Sequence, residues 1–89
     1  MEFEFDPGKS ASNKDKHGID FIEAQALWRY SRYLVVRAKS SNEPRFALIG
    51  KIGGRHWVAF YTWRGSAVRI ISVWRARDME KQRYEDHFG

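Results

Sequence analysis

Eighty-nine residues carrying a net charge of +5 allow one domain with a single modest core. The lack of cysteine excludes disulfides, thiolate zinc sites and cysteine nucleophiles, and it fits a reducing cytoplasm. No apolar run approaches the ~18 residues of a membrane span, and the acidic start MEFEFD is unlike a signal peptide, so a cytoplasmic chain that meets no membrane is expected.

Residues 2–5, Glu-Phe-Glu-Phe, alternate strictly and predict a short strand with Phe3 and Phe5 on one face. Asp6-Pro7 supplies an N-cap and a proline at the first helical position, predicting a helix from Pro7 to about Lys16 that Gly18 ends in a left-handed conformation. Lys9, Asn13 and His17 fall four apart on that helix, flanked by Lys14 and Lys16. So polar a face predicts contact with solvent or a ligand. Asp20 opens a second helix, Glu23 completes a capping box, and Phe21, Ala24, Leu27 and Trp28 form its apolar stripe.

From Tyr33 the pattern turns to strands: residues 34–37, then 45–52 after a polar loop at Lys39 to Pro44. Gly53-Gly54 closes a hairpin to 55–63, and Arg64-Gly65-Ser66 closes another to 67–74. Residues 77–88 return to helical spacing, with Met79, Arg83 and Tyr84 expected inward or along the sheet. The expected fold is a single α+β domain over residues 1–89. It has two N-terminal helices, an antiparallel sheet of three to four strands plus the short N-terminal strand, and one C-terminal helix, with the helices on one sheet face.

Charge points to a polyanion. Between Arg29 and Arg77 eleven basic residues face the single acid Glu43, a balance that attracts phosphate; the plain alternative is a solvated basic surface. In the last strand, alternation puts Ala67, Arg69, Ile71, Val73 and Arg75 on one face and Val68, Ile70, Ser72 and Trp74 on the other. Arg69 is then either paired with an acid such as Glu80 or Glu23 or set at the rim of a phosphate site. Arg64 lies in the preceding turn, and Arg75 and Arg77 lie at the strand's end, where each is a phosphate ligand or an ordinary solvated cation.

Cutting RNA without a metal requires a base for the 2′-hydroxyl proton, an acid for the leaving 5′-oxygen and cations for the crowded phosphorane. His17 is the best proton carrier, against the alternative of a dipole partner at a helix C-terminus. His56 reads as a core or rim residue and His87 as terminal. Trp57, Tyr61 and Trp63 alternate on one face, as core, partner surface or base-stacking rings. Neither paired histidines at ligand spacing nor a glycine-rich phosphate loop occurs, so no metal or cofactor is expected.

These residues carry a resemblance. EFDPGKSASNKDKHGIDFIEA, GKIGG and RGSAVRIISVWRARDMEKQRY make the chain similar, over nearly its whole length, to the BrnT family of RelE-like toxins from bacterial toxin–antitoxin pairs. The resemblance implies a RelE-like fold and a ribosome-independent ribonuclease that is toxic when free. It also implies neutralisation by a BrnA-like ribbon-helix-helix antitoxin, with operator DNA bound only through the complex. The family's motif residues fall here on Lys16, His17, Arg64, Arg69, Ser72, Arg75, Glu80 and Tyr84. Lys16, His17, Arg64, Arg69 and Tyr84 are therefore the catalytic candidates, and Lys14, Arg75 and Arg77 the candidates for RNA phosphate. Two positions depart from the family pattern: Trp74 stands where arginine is usual and Trp63 where an acid is common. An active endoribonuclease, an inactive relative that only docks an antitoxin, and a plain nucleic-acid binder are the competing functions.

Overall fold

The computed structural model describes residues 1–30, 32–39 and 42–89. Strand β1 (Glu2–Glu4) leads directly into helix α1 (Pro7–His17). Asp6 caps that helix through Oδ1, which accepts from the Lys9 amide at 3.1 Å, and this bond holds the Asp6 carboxyl below the usual carboxylate range. Gly18 ends it at φ +80, a left-handed conformation open to glycine.

The capping box at Asp20 forms as its sequence predicts. Its Oδ1 accepts from the Glu23 amide at 2.7 Å while Glu23 Oε1 accepts from the Asp20 amide at 3.0 Å. The helical segment behind this cap is shorter than the apolar stripe suggested: a 3₁₀ turn over Glu23–Gln25 and then α2 (Ala26–Tyr30). Phe21, Ala24 and Leu27 of this segment are nonetheless fully enclosed.

Strands β2 (Leu34–Ala38), β3 (Arg45–Ile52), β4 (Arg55–Arg64) and β5 (Ala67–Arg75) form the predicted meander, and α3 (Asp78–Phe88) closes the chain. In the loop predicted from Lys39 to Pro44, Ser40 and Ser41 lie outside the described residues. The glycine pair between β3 and β4 takes φ +58 and +81, the two left-handed residues of a tight hairpin turn. Gly65 plays the same part at φ +60 between β4 and β5.

Three expectations are corrected. The sheet has five strands in the order β1-β5-β4-β3-β2 and is mixed, because β1 pairs parallel with β5 from Glu2↔Ala67 to Glu4↔Arg69. The helices also occupy both faces. Leu48, Trp57, Ala59 and Tyr61 point to the side of Phe21, Leu27 and Ile19, whereas Ile49 and Val58 point to Tyr84 and Phe88 of α3. Strand alternation makes these opposite faces. Met79 and Arg83, expected inward or along the sheet, are exposed, Met79 at 86 %, and Tyr84 alone of the three is buried.

A bulge in β5 explains why simple alternation fails there. Phe60 pairs with Ser72 but Tyr61 pairs with Ile70, so Ile71 is an extra residue. The irregularity puts Val73 in the same core as Val68 and Ile70 instead of on the face opposite them.

Candidate functional site

β1 covers only the first three residues of β5, so the rest of that strand's outer edge needs another partner. Asn13 of α1 supplies it. Its Nδ2 donates to the carbonyls of Val73 and Ile19, both at 2.9 Å, and its Oδ1 accepts from the Val73 amide at 3.2 Å. Ser10 Oγ, one turn earlier, accepts from the Phe21 amide at 2.9 Å. The polar face of α1 is thus partly an anchoring face, contrary to the expectation that it meets only solvent or ligand: Ser10 and Asn13 are 6 % and 5 % exposed.

This docking turns the neighbouring stripe of α1 outward along the strand edge. Lys9, Ser12, Lys16 and His17 line a cleft of about 280 Å³ whose other wall is Ile71 and Ser72 at the bulge. Lys16 and His17 are exposed and, among the described residues, have no hydrogen-bond or ion-pair partner. Lys14 points elsewhere. It binds Glu23 at 2.8 Å, which raises the Lys14 pKa and lowers that of Glu23, the Asp20 amide adding to the latter.

Most of the remaining candidates lie on the face that carries α3. Arg64 lies 3.6 Å from Glu43, which Arg45 also approaches at 3.8 Å. Arg69 pairs with Glu4, its neighbour across the parallel ladder, at 3.3 Å, and not with Glu80 or Glu23. Arg75 stacks over Trp57 at 5.5 Å on the other face, and Arg77 lies 5.4 Å over Trp74. Arg77 also lies 3.8 Å from Glu80, whose Oε1 accepts from the Arg77 amide as part of the cap of α3.

Tyr84 stands apart from the cleft. Its hydroxyl donates to the Arg32 carbonyl at 3.1 Å, and its ring packs edge-on against His56. His56 in turn binds Glu85 at 2.8 Å, with Lys51 3.5 Å from the same carboxylate. The Glu85 carboxyl is held below its usual range, chiefly by the His56 hydrogen bond and then by Lys51. This cluster ties α3 to the β3–β4 hairpin.

Of the rings considered for stacking, Trp57 and Tyr61 belong to the core, and burial pushes the Tyr61 hydroxyl pKa up. Trp63 is 43 % exposed. Phe60 and Arg45, which were not among the sequence candidates, share a face with Arg64, Arg69 and Trp74; the two-residue spacing that puts Phe60 on one face with Val58 was the available signal. No group of three or more His, Asp or Glu side chains converges as metal ligands among the described residues.

Such an arrangement can bind an anionic strand along β5 and move protons at one point on it, the His17 end of the cleft. A family model described as "Ribonuclease toxin, BrnT, of type II toxin-antitoxin system" matches residues 5–81. No curated protein matches the chain.

Proposed function

The chain belongs to the BrnT family of ribonuclease toxins from type II toxin–antitoxin systems, and from that we propose that it is itself a metal-independent endoribonuclease. Free, it cleaves RNA and arrests translation and growth; a BrnA-like ribbon-helix-helix antitoxin neutralises it and alone carries the complex to operator DNA. The reaction is the transfer of the 2′-hydroxyl oxygen to the adjacent phosphorus. The 2′-O–P bond forms, the P–O5′ bond breaks, and the products are a 2′,3′-cyclic phosphate and a 5′-hydroxyl.

One observation carries the assignment: Lys16 and His17 are exposed in a cleft beside Ser72 and, among the described residues, have no hydrogen-bond or ion-pair partner, while Lys14, Arg64, Arg69 and Arg77 each face an acid. His17 and Lys16 share the two proton transfers, one taking the 2′-hydroxyl proton and the other supplying the 5′-oxygen. Arg64 and Arg69 exchange their carboxylate partners for RNA phosphate, and Arg77 extends the grip on that face, while Arg75 is offered to phosphate from the opposite face, over Trp57. Tyr84 supports α3 through its bond to the Arg32 carbonyl and stands outside the cleft.

The competing reading is an inactive relative, favoured by Trp74 in place of the usual arginine. Arg77, three residues further on, holds a guanidinium 5.4 Å over the Trp74 ring. Expressing the chain alone and monitoring growth and RNA integrity tests the proposal. RNA fragments ending in 2′,3′-cyclic phosphate support it, and intact RNA at high expression counts against it. Cleavage that appears only in Trp74→Arg would establish the inactive reading instead.

A further inference from the structure

Phe60 and Trp74 are neighbours on the face that carries Arg64 and Arg69, with ring centroids 6.2 Å apart and planes tilted by 40°. Neither ring is fully buried, and Phe60 lies outside both core clusters. Each has a guanidinium above it: Arg45 at 5.8 Å from the Phe60 centroid and Arg77 at 5.4 Å from that of Trp74. The Trp74 ring is also fixed from its edge, since Nε1 donates to Glu80 at 3.3 Å and Glu80 is itself held by the Arg77 amide at 2.8 Å.

We propose that Phe60 and Trp74 form a base-stacking subsite for single-stranded RNA, closed by Arg45 and Arg77; it rests on the reading of this chain as an RNA-cleaving toxin. Rings preset by the sheet and by Glu80 lose little freedom when a base settles on them, and stacking accepts any base because every base has a π-face. A base between ring and guanidinium needs two stacking spacings of about 3.4 Å each, so the cations must yield by on the order of 1 Å. The Arg77 side chain, 74 % exposed, is free to do so. Once displaced, the same guanidinium groups meet the flanking phosphates.

Register ties the subsite to the cleft. Ser72 pairs with Phe60 across the sheet and also lines the wall opposite Lys16 and His17. A base on the rings therefore places its own or the next phosphate at the strand edge where the protons move. Larger bases stack more strongly, so a purine beside the cut is expected. Duplex RNA, whose bases face one another, gains nothing from the rings.

The test uses a short single-stranded RNA made uncleavable by 2′-O-methylation, titrated against the full chain and its Phe60→Leu, Trp74→Leu and Trp74→Phe variants by fluorescence anisotropy. Each leucine variant weakens binding by about tenfold while Trp74→Phe keeps most of it. On cleavable RNA, KM rises and kcat is kept. Leucine variants that bind as the wild type does overturn the subsite. So does equal weakening by Trp74→Phe, which marks lost packing, and Phe60→Leu gives the answer if Trp74→Leu fails to fold. Ring-dependent binding without cleavage by the wild type would defeat the proposed activity but not the subsite. Cleavage with ring-independent binding would defeat the subsite alone.

Discussion

The Asn13 carboxamide meets the Val73 backbone as a neighbouring strand would, donating to its carbonyl at 2.9 Å and accepting from its amide at 3.2 Å. A primary amide carries the donor and acceptor of a peptide group on one short side chain, so one residue closes the edge that β1 leaves open. Asn13→Ala leaves the Val73 amide and the Val73 and Ile19 carbonyls unpaired in a buried setting and is expected to cost about 3 kcal/mol. Asn13→Asp is no rescue, because a carboxylate has no hydrogen to give the two carbonyls. Urea denaturation of the two variants measures both effects.

That contact also marks where the sequence stopped being legible. The caps at Asp6 and Asp20, the left-handed Gly18 and both hairpin turns are local, and their residue types announce them. The parallel pairing of β1 with β5 joins segments more than sixty residues apart, and EFEF carries no mark of its partner. Strict alternation misassigned Val73 because a bulge adds one residue and resets the faces beyond it. Asn13 read as a side chain facing solvent or a ligand for a related reason: helical spacing groups residues on a face but does not say what the face meets. Of the site, Lys16, His17 and the arginines were visible by type, whereas the acids Glu4 and Glu43 that hold Arg69 and Arg64 came only with the tertiary structure.

Arg69 separates structural from functional charge. Its pairing with Glu4 is part-exposed on both sides, so Arg69→Ala is expected to cost at most about 1 kcal/mol in thermal or chemical unfolding. RNA affinity should fall with a shallower salt dependence, by about one unit of slope. A large stability loss with unchanged RNA binding would assign Arg69 to the fold alone.

Glu85 makes the attachment of α3 sensitive to acid. Its carboxyl is held below the usual range by His56 and Lys51, so the folded state binds its proton less readily than the unfolded chain. The stabilisation is therefore complete above the ordinary glutamate range and disappears as pH falls through the lowered value. Wild type should melt above Glu85→Gln at pH 7, and the gap should close as the pH falls through the lowered Glu85 value. A gap that persists there would show that the pairing is not the cause.

Tyr84 donates from a buried ring to the Arg32 carbonyl. Tyr84→Phe should cost about 1 kcal/mol of stability while leaving cleavage near the wild-type rate. A loss of kcat without a loss of stability would bring the hydroxyl into the chemistry.

The cleft at the β5 edge makes the central claim, and His17 is its sharpest point. Exposed and, among the described residues, without a side-chain partner, it can be removed with a stability change within about 0.5 kcal/mol. Single-turnover cleavage of a labelled RNA, with chelator present throughout, is the direct measurement for wild type and His17→Ala. The account predicts metal-free cleavage by the wild type, a rate about 10²- to 10⁴-fold lower in the variant, and unchanged RNA affinity. Equal cleavage rates in the two proteins would contradict it.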